Sequence, residues 1–442
     1  MHIQQSFLKP VLVEGYAQKC NCVIRIQADK KPENLPPRPP LHLSVVLDRS
    51  GSMQGAPLEE AKLCAQYIVH ALRADDKISV VSYDSIVTTN VPLQPPTNKE
   101  EIIAKIDAIF AGGMTNLHGG WEKGKLELLP DVSSTSLSRV LLLSDGCANE
   151  GITNVSKISS LVYKAMLQGV STSTYGLGDG FNETLMTEMA KNGGGNNYYG
   201  ETAKDLQEPF MTELDLLNAI SAKNVWVHIE AAEGCKVKVL NTKVREENGW
   251  YQLSDIAFDS ESWLALEIEV PGTLSSGTGP RSLGTVQLKY IDVQQMQANP
   301  EISVDYTVMT GDISIETLPA AAFSVVLNDE WVSTRLRELE ASQLQLDAGE
   351  AAKKGDWKKV RAILEKAKVL AQNNEWMESI VTELEQLAKA ENAEIFAKEA
   401  IYSSLQMQKR LISPDFDESS IHTENLKPSY LRRKSRQGRS SP

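Results

Sequence analysis

The chain has 442 residues and a formal net charge of −13 at pH 7. That length predicts about three domains, and 41% apolar with 23% charged residues is ordinary for a globular protein. The acidic balance argues against non-specific nucleic-acid binding by the body of the protein. The first ten residues, MHIQQSFLKP, lack the basic start and apolar core of a secretory signal. No stretch approaches the roughly eighteen apolar residues of a membrane helix. Five cysteines, odd in number and scattered, fit a reducing compartment better than a disulfide framework. A cytoplasmic location is therefore expected.

Residues 8–30 read as two strands with partial alternation and β-branched residues, too few to bury a core alone. Cys20 and Cys22 fall there as two same-face strand residues; a metal pair would need a second Cys or His pair nearby. Residues 31–40, KPENLPPRPP, carry five prolines in ten and form a stiff connector. Strands and helices then alternate. Leu43 to Leu47 is an unbroken apolar run of the kind a buried parallel strand shows. A helix begins near Pro57, and KISVVSY (77–83) is the next strand. Ile86 to Val91 reads as a short edge strand closed by Pro92. Asn98 caps a helix, and another runs from Asn116 to Leu128. Arg139 to Leu143 and Val170 to Leu177 are strands separated by a helix over 154–168. A short helix (182–191), a short strand (197–199) and a helix (202–217) complete the set. GGGNN (193–197) lacks the Lys-Ser/Thr of a phosphate loop and reads as a turn. Such alternation predicts an α/β, doubly wound, mostly parallel Rossmann-like sheet.

Residues 222–310 change character: six strand-like runs with turn signals between them predict an antiparallel sandwich. The orphan strands near the N-terminus need partners, so the α/β domain is expected to be inserted into the sandwich. From Pro319 to Leu411 the apolar spacing is helical; one GDW turn resembles a tetratricopeptide hairpin, but one unit is too few for an array, and two or three helices are expected. The expected division is 1–37 (first sandwich strands), 38–220 (α/β domain), 221–315 (rest of the sandwich), 316–412 (helical bundle) and 413–442 (disordered tail). The tail is acidic first and then basic, with six Lys or Arg in 427–442. That basic end is the one place where nucleic acid or anionic lipid could be touched.

Within the α/β domain, LHLSVVLDRSGSMQG (41–55) ends its strand at Asp48 and follows with Ser50 and Ser52. Open α/β sheets build their sites past the carboxyl ends of such strands. A carboxylate and two hydroxyls are hard oxygen donors of the kind Mg²⁺ prefers, and Gly51 lets the loop turn sharply. AGGMTNLHGG (111–120) adds Thr115 in a glycine-rich loop, and SRVLLLSDGCANEG (138–151) is a second strand ending in Asp145-Gly146. Singly, each has a plainer reading: Asp48 and Ser50 as helix caps, Asp145-Gly146 as a turn.

Together these stretches resemble the metal-ion-dependent adhesion site of von Willebrand factor A (VWA) domains, over roughly residues 38–215. The resemblance implies Asp48, Ser50, Ser52, Thr115 and Asp145 as ligands of Mg²⁺, with Mn²⁺ or Ca²⁺ as alternatives, and an open position filled by an Asp or Glu of a partner protein. The insertion resembles integrin β chains, and the whole chain resembles bacterial VWA proteins labelled calcium-activated chloride channel homologues. It implies a non-enzymatic adaptor. A regulatory subunit of a MoxR- or chelatase-type AAA ATPase, or of a kinase or phosphatase complex, is the alternative. Asn149, Glu150 and Asp179 stand at the same edge as candidate partner contacts or helix caps, His118 is expected to line the partner-facing rim with a metal role as the alternative, and Arg49 is expected to be solvated. No G-x-S-x-G elbow, H-E-x-x-H, Walker or dinucleotide motif is present, and the carboxylate count of a two-metal hydrolase is missing.

Overall fold

The computed structural model describes residues 1–31, 38–133, 135–177, 181–200, 203–241, 244–298 and 306–408. Asp179 and the tail 413–442 lie outside them. The chain opens with strands β1 (His2–Phe7), β2 (Val11–Val13) and β3 (Gln18–Gln27), three where the sequence suggested two. β1 is polar on most of its positions, which hid it.

The α/β domain follows. Its elements are β4 (Leu41–Asp48), α1 (Ala56–Ala71), β5 (Lys77–Tyr83), β6 (Val87–Gln94), α2 (Lys99–Asp107), α3 (Leu117–Leu128), β7 (Leu137–Ser144), α4 (Val155–Leu167), β8 (Val170–Leu177), α5 (Glu183–Asn192), β9 (Gly194–Gly200) and α6 (Ala203–Asn218). The sheet order is β6-β5-β4-β7-β8-β9, parallel except for the antiparallel edge strand β6. One layer, with α1, α2 and α6, covers one face through Leu58, Ile68, Ile102 and Phe210. The other, with α3, α4 and α5, covers the opposite face through Trp121, Val162 and Met189. β4 and β7, fully buried on both faces, form the middle.

Two local readings are corrected. Pro92 does not close β6: the strand runs on to Gln94, because its exposed proline sits on the sheet edge where no ladder donor is needed. GGGNN is not a free turn: Gly194 onward is β9. A Cβ on Gly195 would lie 2.2 Å from the Thr172 carbonyl oxygen, so glycine is what lets β9 approach β8.

The sandwich is made of β10 (Ile220–Ala231), β11 (Lys236–Val239), β12 (Arg245–Glu247), β13 (Trp250–Gln252), β14 (Ile256–Ala257), β15 (Glu261–Val270), β16 (Gly279–Asp292) and, after the short helix α7 (Val293–Ala298), β17 (Thr307–Leu318). One sheet has the order β1-β3-β15-β11; the other runs β12-β13-β10-β16-β17-β2. The N-terminal strands are thus integral to both sheets, and the α/β domain is an insertion between them. Pairing is antiparallel apart from β17 with β2, which is parallel. β17 extends past the expected end of the sandwich. Cys20 and Cys22 are buried with Ile24, Leu266 and Ile268 in its core.

After α8 (Ala320–Val325) the helical part holds four long helices rather than two or three: α9 (Glu330–Lys353), α10 (Trp357–Ala371), α11 (Glu375–Ala390) and α12 (Ala393–Gln408). Asn and Asp caps at Asp329, Asp356 and Asn374 start the first three, each accepting a backbone N–H. The early part of α9 lies on the sandwich, Val332 and Leu339 against Val23, Trp263 and Ala265. Its later part joins the helical core through Ala341, Ala348 and Ala352.

Candidate metal centre at the carboxyl edge of the sheet

β4 and β7 are adjacent and parallel, and their outgoing connections lead to opposite sides of the sheet. A crevice opens at such a reversal point. Asp48 is the last residue of β4 and is fully buried; Asp145 directly follows β7 and is half-buried.

The Asp48 carboxylate is held from three sides. The Ser50 backbone N–H donates to Oδ1 (2.8 Å), and the Ser144 hydroxyl (2.6 Å) and Tyr83 hydroxyl (3.3 Å) donate to Oδ2. Burial raises its pKa against those donations. Ser50 and Ser52 are in contact through their hydroxyls (3.1 Å), and Ser52 donates to Asp145 Oδ1 at 2.9 Å. Burial first, and the neighbouring Asp48 charge next, push the Asp145 carboxyl up to about 6 against that hydrogen bond. The capping alternative fails: Ser50 makes no side-chain cap bond, and the N-cap of α1 is Gly55.

Thr115 is buried, and its hydroxyl shares one small space with that of Ser52. A Cβ on Gly146 would lie 3.5 Å from Thr115 Oγ1 and 3.7 Å from Ser52 Oγ. Two devices bring it there. Its backbone N–H donates to Asn149 Oδ1 (2.8 Å), and its carbonyl accepts from the N–H groups of Asn149 and Glu150 (3.1 and 3.3 Å). In addition α3, which begins just after it, lies hard against the sheet. Cβ atoms on Gly120 and Gly124 would fall 2.3 Å from Tyr83 Cδ1 and 2.5 Å from Val46 Cγ2.

The structure therefore brings all five predicted donors to one rim. Two carboxylates and three hydroxyls suit a hard divalent cation. Neighbouring oxygens of an octahedral Mg²⁺ shell lie about 3.0 Å apart, matching the Ser50–Ser52 and Ser52–Asp145 spacings. Among the described residues no group of three or more His, Cys, Asp or Glu is gathered for a metal; the hydroxyls are what make this donor set.

The rim differs from expectation. Arg49 is not solvated: it is mostly buried and pairs with Asp84 (3.3 Å), the residue that directly follows β5. Asn149 is exposed yet positions the Thr115 loop. His118 sits in the first turn of α3 with its ring 6.0 Å from Trp121. The side-chain charges that reach it come from Glu122, Lys125 and Lys157, not from the donor set. Sequence reasoning missed Ser144, Tyr83 and Asp84. Polar residues closing apolar strands were the available signal for all three.

Residues 42–212 match the model of the von Willebrand factor type A domain, so the inserted unit is a VWA domain. The chain is 33% identical over 206 residues to the uncharacterized protein YfbK of Escherichia coli, covering 46% of this chain and 35% of YfbK, about a third of that relative's length. It is 25% identical over 345 residues to the uncharacterized protein sll0103 of Synechocystis, covering 74% of this chain and 79% of that one. In fold it is similar to the von Willebrand factor type A structure from Catenulispora acidiphila (TM-score 0.69, 16% identity, 91% and 96% of the two chains).

Proposed function

We propose that the chain is a non-enzymatic, cytoplasmic protein-binding module that holds Mg²⁺ at the VWA edge and receives an Asp or Glu of a partner protein there. The observation that carries this reading is the convergence of Asp48, Ser50, Ser52, Thr115 and Asp145 at one rim, where Ser52 Oγ lies 3.1 Å from Ser50 Oγ and 2.9 Å from Asp145 Oδ1. The Asp48 charge helps push the Asp145 carboxyl up, and a cation between the two carboxylates removes that repulsion. Mg²⁺ takes six oxygens in near-octahedral geometry, so five side chains leave a place for an incoming acid. The bacterial chloride-channel-homologue resemblance belongs to this reading; no helix of the described residues is long and apolar enough to cross a membrane.

The test is isothermal titration of the metal-stripped full chain with MgCl₂, MnCl₂ and CaCl₂, beside Asp48→Ala and Thr115→Ala. Saturable one-site binding by wild type, lost in Asp48→Ala, is expected. A pull-down in Mg²⁺ or EDTA, with wild type and Asp145→Ala, should then retain a partner in the Mg²⁺ wild-type lane alone. Wild type that takes up none of the three ions, or identical retention in all lanes, overturns the reading.

A further inference from the structure

Three large apolar side chains stand exposed on the β5 side of the donor set: Ile86 at 67%, Phe110 at 73% and Met114 at 51%. They come from two loops, the turn after β5 and the segment between α2 and α3. Those loops are tied to each other and to the metal loop. The Met114 N–H donates to Ser85 Oγ (3.0 Å), the Gly51 N–H to the Gly113 carbonyl (3.1 Å), and the Gly112 N–H to the Arg49 carbonyl (2.8 Å). The Ile86 N–H donates to Asp84 Oδ1 at 2.6 Å, and Asp84 in turn pairs with Arg49. The Arg49 guanidinium lies 5.8 Å from the Phe110 ring centre. The apolar groups are thus fixed on the same backbone that fixes Ser50, Ser52 and Thr115.

Exposed apolar side chains gathered at one rim, rather than scattered singly, mark an interaction surface. The basic residue on this side is already neutralised by Asp84, so the rim offers apolar contact rather than charge. An acid that reaches the donor set must carry its own chain neighbours across this edge. We infer that the VWA rim selects a protein segment in which an Asp or Glu stands beside a bulky aliphatic or aromatic side chain that seats on Ile86, Phe110 and Met114. This rests on the metal-bridged reading above and names the chemistry of its partner.

The test uses a phage-displayed library of random dodecapeptides, selected on the immobilised full chain in MgCl₂ and eluted with EDTA. The strongest eluted peptides are then measured against wild type, Asp145→Ala and Ile86→Ser/Phe110→Ser/Met114→Ser. The triple variant is first checked for wild-type Mg²⁺ binding by calorimetry. If it does not bind, Phe110→Ser alone, at the most exposed of the three positions, takes its place. The expected result is an acid with an adjacent bulky apolar residue in the eluted sequences, affinity lost in Asp145→Ala, and affinity lowered about tenfold or more in the apolar-rim variant. Eluted peptides without apolar enrichment, or with affinity unchanged in that variant, overturn this inference and leave the metal bridge standing. An absence of EDTA-eluted binders, or binding that survives Asp145→Ala, overturns both.

Discussion

Asp145 is a donor whose charge is set by its surroundings. Its folded pKa of about 6 lies above its unfolded one. A carboxyl shifted this way contributes stability below the unfolded pKa, about 4, and loses it as pH rises through about 6. The metal-free protein therefore carries a penalty at neutral pH that a bound cation removes. The rise in Tm on adding MgCl₂ is expected to be large at about pH 7.5 and to shrink as pH falls through about 6; thermal melts across that range check it, and a pH-independent rise would contradict it. Asp48 depends instead on its donors. Ser144→Ala removes the 2.6 Å hydrogen bond to a buried carboxylate and should cost about 2 kcal/mol in urea unfolding, with weaker Mg²⁺ binding by calorimetry. The five donors were legible because a D-x-S-x-S run, a loop threonine and a strand-end aspartate each sit in short stretches. Ser144, Tyr83 and the Arg49–Asp84 pair were not, because their partners are set by strand adjacency, which the linear order does not state.

α3 carries Thr115 to the site only because Gly120 and Gly124 let it sit against Tyr83 and Val46. Gly120→Ala is expected to force the helix outward, costing about 1–3 kcal/mol and lowering Mg²⁺ affinity together with stability. Gly112→Ala, whose Cβ would meet nothing nearer than 3.9 Å, should leave both unchanged; denaturation and calorimetry on the two variants decide. At this scale the sequence yielded the alternating strands and helices of the α/β domain, since unbroken apolar runs and Asn caps mark them locally. It hid β1, whose residues are largely polar, and it hid β9, whose glycines look like a turn until their closeness to Thr172 is seen. The end of β17 was also lost: its alternation, buried at Ile313, Ile315 and Thr317, continues past Gly311, which reads in sequence as a break.

The α/β domain and the sandwich meet over a buried charge cluster. Arg139, on β7, donates to Glu213 of α6 (2.5 Å) and to Asp255 of the sandwich (2.6 Å), and its Nε donates to Ser171 (2.8 Å). Glu213 also accepts from Ser173, Tyr198 and Asn196. Burial opposes its charge, but Arg139 and these donors outweigh it and hold its pKa below the usual range. Arg139→Met takes the guanidinium away from two buried acids, of which Asp255 keeps only the charge of Lys223, and should cost about 3–5 kcal/mol, whereas adding Glu213→Gln and Asp255→Asn to it should restore part of the loss; chemical denaturation of the single and triple variants measures this. The insertion itself was readable from unpartnered strands near the N-terminus. The way α9 bridges sandwich and bundle was not, since periodicity marks a buried face without naming what covers it.

Arg38, just before β4, makes a bidentate pair with Asp76 (2.6 and 2.7 Å) and also hydrogen-bonds Asn218, the last residue of α6. The points where the chain enters and leaves the VWA unit are therefore side by side. Closely spaced ends are what make a unit transplantable. Residues 38–219 should be removable as a cassette, the gap bridged by a short glycine-serine turn. The remaining segments would then knit into a sandwich without it, and the cassette could be grafted into a surface loop of an unrelated carrier while still gripping its ion.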